Sequence, residues 1–125
     1  MSEMKGGAVR VIPCLDIAGG RVVKGRQFKT WTDVAEPRAL VEYYKETGAD
    51  ELIFYDISAS GEGRMACLTS IAKAVAGTDI PFCIGGGIAS PLAAEKCLAI
   101  GATKVSVNSA AIENPFLLAK IAQKV

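Results

Sequence analysis

GADELIFYDISA, Gly48 to Ala59, places a helix stop, an apolar run and a polar tip in immediate succession. Gly48 closes the stretch EPRALVEYYKETG, in which Pro37 suits a first helical position after Glu36. The run Leu52–Tyr55 is short, aromatic and β-branched, as a strand is, and it ends on Asp56. GATKVSVNSAA, Gly101 to Ala111, repeats the same order of glycine stop, apolar strand and polar tip. An echo of this kind supports a repeated βα unit.

Working outward, four runs read as strands: Val9–Leu15, Leu52–Tyr55, Pro81–Ile84 and Lys104–Val107. Helical stretches lie between and after them. The first follows Pro37, the second runs from Arg64 to Ala76, the third starts at Ser90-Pro91 and stops at Gly101, and the fourth starts at Asn114-Pro115. The order βαβαβαβα predicts parallel strands joined by right-handed crossovers. The first connection is long, Ile17–Glu36. Within it AGG supplies a turn and RVVKG, Arg21–Gly25, alternates like an edge strand. A loop of this length points to function, with Gln27–Val34 as a mobile segment.

Length and composition set the class. One hundred and twenty-five residues suit a single domain, here residues 9–125 behind a loose leader, residues 1–8. Half the residues are apolar and the net charge is +1, a balance that fits a globular chain and argues against nucleic-acid or membrane partners. Cys14, Cys67, Cys83 and Cys97 form no C-x-x-C pair and sit in apolar segments, as reduced thiols of a cytoplasmic protein do. With no histidine in the chain, neither a zinc site nor a Ser-His-Asp triad is expected, and no cofactor is implied. Proton transfer falls to Asp, Glu, Lys, Tyr or Cys.

The predicted strands end in Asp16, Asp56, the glycines 85–87 and the pair Asn108-Ser109. In parallel α/β architectures ligands gather beyond that edge. VIPCLD, Val11–Asp16, buries its body and closes on an acid, which suits a general acid or base, or equally a turn cap. Asp56 in DISAS also reads as a turn residue. IGGGIASP lets backbone N–H groups approach an anion, which favours phosphate binding over a plain turn, and Asn108 and Ser109 can add donors. At the opposite ends Arg10, Glu51 and Lys104 read as a solvated polar rim.

IPCLDIAGGRVVKGRQF, GADELIFYDISAS-x-EGR, DIPFCIGGGI and GATKVSVNSAAIENP, in this order, resemble the cyclase subunit of imidazole glycerol phosphate synthase, a histidine-biosynthesis lyase with a (βα)8 barrel. The resemblance implies that Asp16 is one of two catalytic carboxylates and that Lys24 lies beside the active site. It implies that Asp56, Gly86, Gly87, Asn108 and Ser109 bind a phosphoribosyl bisphosphate substrate, with ammonia as co-substrate. It turns Arg10, Glu51 and Lys104 from a rim into three members of a charged channel gate, and it brings a glutaminase subunit as a partner. At Thr103 the resemblance leads one to expect an acid that docks that subunit.

The family barrel has eight βα units and this sequence carries four, so the expected architecture is a (βα)4 half of a TIM-type barrel. Half a barrel leaves one sheet face without helices, which predicts association into a homodimer or higher oligomer. A reading as a non-catalytic, self-associating phosphate-binding half-barrel stands beside the enzymatic one.

Overall fold

The structure is a computed structural model and describes residues 9–26, 30–57, 61–107 and 112–124. Along the chain come β1 (Cys14–Ala18), β2 (Arg21–Arg26), β3 (Thr30–Ala35), α1 (Pro37–Thr47), β4 (Leu52–Asp56), α2 (Gly61–Val75), β5 (Phe82–Gly85), α3 (Pro91–Ala99), β6 (Lys104–Ser106) and α4 (Leu117–Lys124). They build one six-stranded sheet in the order β3-β2-β1-β4-β5-β6. Strands β1, β4, β5 and β6 pair in parallel, whereas β2 and β3 pair antiparallel. Among the described residues, the four parallel strands and four helices are the (βα)4 arrangement expected from the repeated unit.

The first connection corrects the sequence reading. It is a β-hairpin rather than an irregular loop, and Thr30–Val34 of the stretch expected to be mobile lies in β3; residues 27–29 are outside the described residues. Gly19 and Gly20, at φ 59° and 81°, make the two-residue turn that folds β2 back on β1. Positive φ at both central positions is what such a hairpin turn requires. The first parallel strand also shifts. Regular pairing begins at Cys14 rather than Val9, because its neighbour β4 begins only at Leu52 and Cys14 pairs with Ile53. The preceding residues are still anchored: Val11 donates its N–H to Asp50 Oδ2 at 2.6 Å, and the Asp50 N–H returns to the Val11 carbonyl at 2.9 Å.

Helix boundaries follow their caps. Gly48 is left-handed at φ 96° and closes α1. Ser90 caps α3 by accepting from the Ala93 N–H at 3.1 Å. Helix α2 starts at Gly61, ahead of the expected Arg64. Helix α4 starts at Leu117, after a turn in which Asn114 Oδ1 accepts from the Phe116 N–H at 3.2 Å. Arg38 of α1 donates to the carbonyls of Lys73 and Ala76, at 3.0 and 2.9 Å. A cation there satisfies orphan carbonyls at the end of α2 and locks the two helices together.

The four described helices all contribute to one core. Leu15, Ile17, Leu52, Phe54, Phe82 and Ile84 from the sheet meet Val41, Cys67, Ile71, Ala94, Cys97, Leu117 and Ile121. Strand alternation sends the intervening residues to the other face. In β4 Leu52 and Phe54 are fully buried while Ile53 and Tyr55 are half-buried.

Candidate functional site

Register fixes what the open face carries. One row runs Cys14, Ile53, Cys83, Lys104 across β1, β4, β5 and β6. The next row towards the C-terminal ends runs Asp16, Tyr55, Gly85, Ser106, with Val23 of β2 beside Asp16. Asp16 is exposed in this row. It does not stand at the tip of its strand, as its sequence suggests, because the hairpin prolongs β1 to Ala18. Its carboxylate therefore rises from the open face itself. Gly85 is the small member of that row. A Cβ there would lie 2.8 Å from the Tyr55 ring and 3.0 Å from the Ser106 Cβ, so the glycine makes room for the tyrosine.

Asp56 parts company with Asp16. It continues the alternation of Leu52 and Phe54, is 8 % exposed, and turns towards the helices. There its Oδ1 accepts from the Cys67 thiol at 3.4 Å. Two strand-end acids that look equivalent in sequence thus face opposite sides of the sheet. Lys24 follows Val23 in β2 and pairs in register with Thr32 of β3.

The glycine turn sits close against β4. Gly86 and Gly87 have φ of 91° and 69°, and a Cβ on Gly86 would run into the Asp56 carbonyl. Gly86 is thus needed first for packing of one strand end against the next. Asn108 and Ser109, expected at the same phosphate, lie outside the described residues.

At the N-terminal ends the structure brings Arg10, Glu51 and Lys104 together, so they are no loose solvated rim. Glu51 is 3 % exposed, and Lys104 Nζ donates to its Oε1 at 2.7 Å. Arg10 approaches Oε2 at 3.7 Å. A buried carboxylate between two half-solvated cations forms a charged cluster on the open-face side of the sheet. Thr103, next to it, donates its hydroxyl to the Phe82 carbonyl at 3.2 Å.

Three of the four thiols are buried and Cys14 is exposed. Burial pushes the Cys97 thiol up to about 11, with the charges of Cys83 and Asp56 adding to it. Burial likewise raises Cys83, and the Glu51 carboxylate near it adds to the rise. Both are held as thiols. The Cys67–Asp56 contact has no signal in the sequence, since nothing local relates residues in a strand and in the helix after it.

Comparison with known proteins adds the family. Residues 10–125 match the model of a family described as "Histidine biosynthesis protein". The chain is 47% identical over 117 residues to "Imidazole glycerol phosphate synthase subunit HisF" of Aliivibrio fischeri (strain MJ11), covering 94% of this chain and 46% of that relative. It is also 47% identical to the protein of that name from Vibrio campbellii and 44% identical to that from Serratia proteamaculans, over the same length. The chain spans about half the length of the curated relatives it matches.

Proposed function

The chain belongs to the histidine biosynthesis protein family, and from that premise we propose that it is the first half of a cyclase barrel that closes an imidazole ring with ammonia on a phosphoribosyl bisphosphate. One observation carries the reading: Asp16 stands exposed on the helix-free face, in register with Tyr55, Gly85 and Ser106. That face becomes the interior when a barrel closes, so the carboxylate would meet a substrate held there.

Asp16 is then the general acid or base, and Lys24 assists from the hairpin. Gly86 and Gly87, with Asn108 and Ser109, offer donors to one substrate phosphate. Asp56 faces the helices and is left with a supporting role at the end of β4. Arg10, Glu51 and Lys104 gate the entry of ammonia from the opposite end, where a glutaminase subunit would dock. We place this chemistry in the cytoplasm.

The site needs a second half. Cys14, Ile53 and Tyr55 leave an uncovered face, and β3 and β6 are sheet edges. The hairpin pairs with β1 only over Asp16–Ala18, so the start of β1 is left for another strand. A second half-barrel, supplied by a copy of the chain or by a C-terminal half, would cover the face and bring a second acid and a second phosphate cradle. A second reading, a half-barrel that binds phosphate without turnover, is favoured by the placement of Asp56 on the helix side, which leaves Asp16 as the one acid of its row with Tyr55, Gly85 and Ser106.

The test is complementation. The chain is mixed with the C-terminal half of a relative's barrel and assayed for ammonia-dependent turnover. Activity should appear on mixing and fall by about 100-fold or more in Asp16→Asn, the cost of removing a general acid or base. Turnover that survives this substitution overturns the assignment. Phosphate binding without turnover supports the second reading.

A further inference from the structure

The row that starts at Asp16 continues through Tyr55 and Gly85 to Ser106, all neutral. Gly85 shapes its middle. The Tyr55 ring stands where a side chain on Gly85 would be: its Cε1 and Cδ1 lie 2.8 and 3.0 Å from the place of a Cβ, and the Ser106 Cβ closes the same space from β6 at 3.0 Å. The half-buried ring thus leans from β4 over β5, away from Asp16 on β1. Two hydroxyl-bearing side chains flank Gly85, and among the described residues neither hydroxyl enters a hydrogen bond.

The glycine turn follows Gly85 directly, and only β4 lies between β1 and β5. At a strand spacing of about 4.8 Å, Asp16 and the start of the turn stand roughly 10 Å apart across the sheet. A ligand with its phosphate at Gly86 and Gly87 and its reacting end at Asp16 passes over Tyr55. A hydrocarbon in that stretch would take water from the hydroxyls and return no hydrogen bond, whereas a chain of hydroxyls replaces what is lost. We propose that Tyr55 selects a polyhydroxylated carbon chain between the phosphate and the reacting end of the ligand. The ring lies along the chain, and the phenol bonds one of its hydroxyls, with Ser106 beside it. This role rests on the phosphate cradle at Gly86 and Gly87 proposed above, and it gives the ligand a chemical class.

D-Ribitol 5-phosphate, n-pentyl phosphate and inorganic phosphate are the probes. The first two share chain length and phosphate and differ in their hydroxyls. Each is titrated into the whole chain and followed by NMR at the amides of Gly86 and Gly87. Tyr55→Phe keeps the ring and removes only the hydroxyl. It should weaken ribitol 5-phosphate about fivefold, as loss of one neutral hydrogen bond does, and leave the other two probes unchanged. Ser106→Ala, on the far side of Gly85, should give the same selective loss. An equal loss for all three probes would assign both side chains to packing. Undiminished ribitol 5-phosphate binding in both variants would show that its hydroxyls are not read here. Either result overturns the proposal and leaves the phosphate cradle standing. Shifts from none of the three probes in the unaltered chain would overturn the cradle, and this role with it.

Discussion

Glu51 shows how much a single position can depend on its partners. The sequence places it at the start of a strand, where a charged residue is ordinarily solvated. In the structure it is buried, and its stability rests on Lys104 at 2.7 Å more than on Arg10 at 3.7 Å. Removing a close partner leaves a buried carboxylate undercompensated, whereas removing a distant, solvated one costs little. Lys104→Met should therefore lower unfolding free energy by about 2 kcal/mol and Arg10→Met by less than about 1 kcal/mol, read from urea titrations. Equal effects, or the reverse order, would show that Glu51 is held by something other than this geometry. Asp16 and Asp56 make the same point about direction. Both are acids near strand ends, yet the parity of the strand sends one to the open face and the other to the helices.

Between elements, the contact of β4 with the turn after β5 is the most sharply constrained. Gly86 combines a left-handed φ with a position where any Cβ meets the Asp56 carbonyl. Gly86→Ala should destabilise the chain by at least about 2 kcal/mol, from backbone strain together with the clash. A loss of phosphate binding in such a variant would therefore report a displaced turn and not a filled anion site. Thermal unfolding decides it: an unchanged midpoint in Gly86→Ala would mean that the turn and β4 are not packed this closely. The hairpin β2–β3 is a second element-level result. The AGG turn that leads from β1 into β2 is legible, but β3 is not, because TWTDVA carries no strong alternation. Pairing with β2 along Thr30–Ala35 supplies the order that local propensity lacks.

For the whole molecule, the uncovered face and two sheet edges predict self-association. Light scattering at micromolar concentration should give a dimer or larger species, and a stable monomer would remove the argument for closure by a second copy. The buried thiols set a limit at high pH. In the unfolded chain Cys97 ionises near its ordinary value of 9.0, while the folded chain keeps the proton up to about 11. Over that interval the unfolded state binds fewer protons, so stability is full below pH 9 and falls as pH rises towards 11. The urea midpoint should drop across this window, and the drop should be shallower in Cys97→Ala. An equal drop in the variant would assign the effect to other groups.

The repeated βα order, the helix stops at Gly48 and Gly101, the Ser90 cap and the glycine turn are all readable along the chain, because each depends on a few neighbouring residues. So are the motifs that mark the family. The tertiary structure alone decided that Asp56 bonds Cys67, that Gly86 is pressed against a neighbouring strand, and that Glu51 is buried between two cations. Those contacts join residues far apart in sequence, and their geometry comes from strand register and helix packing, which no local pattern encodes.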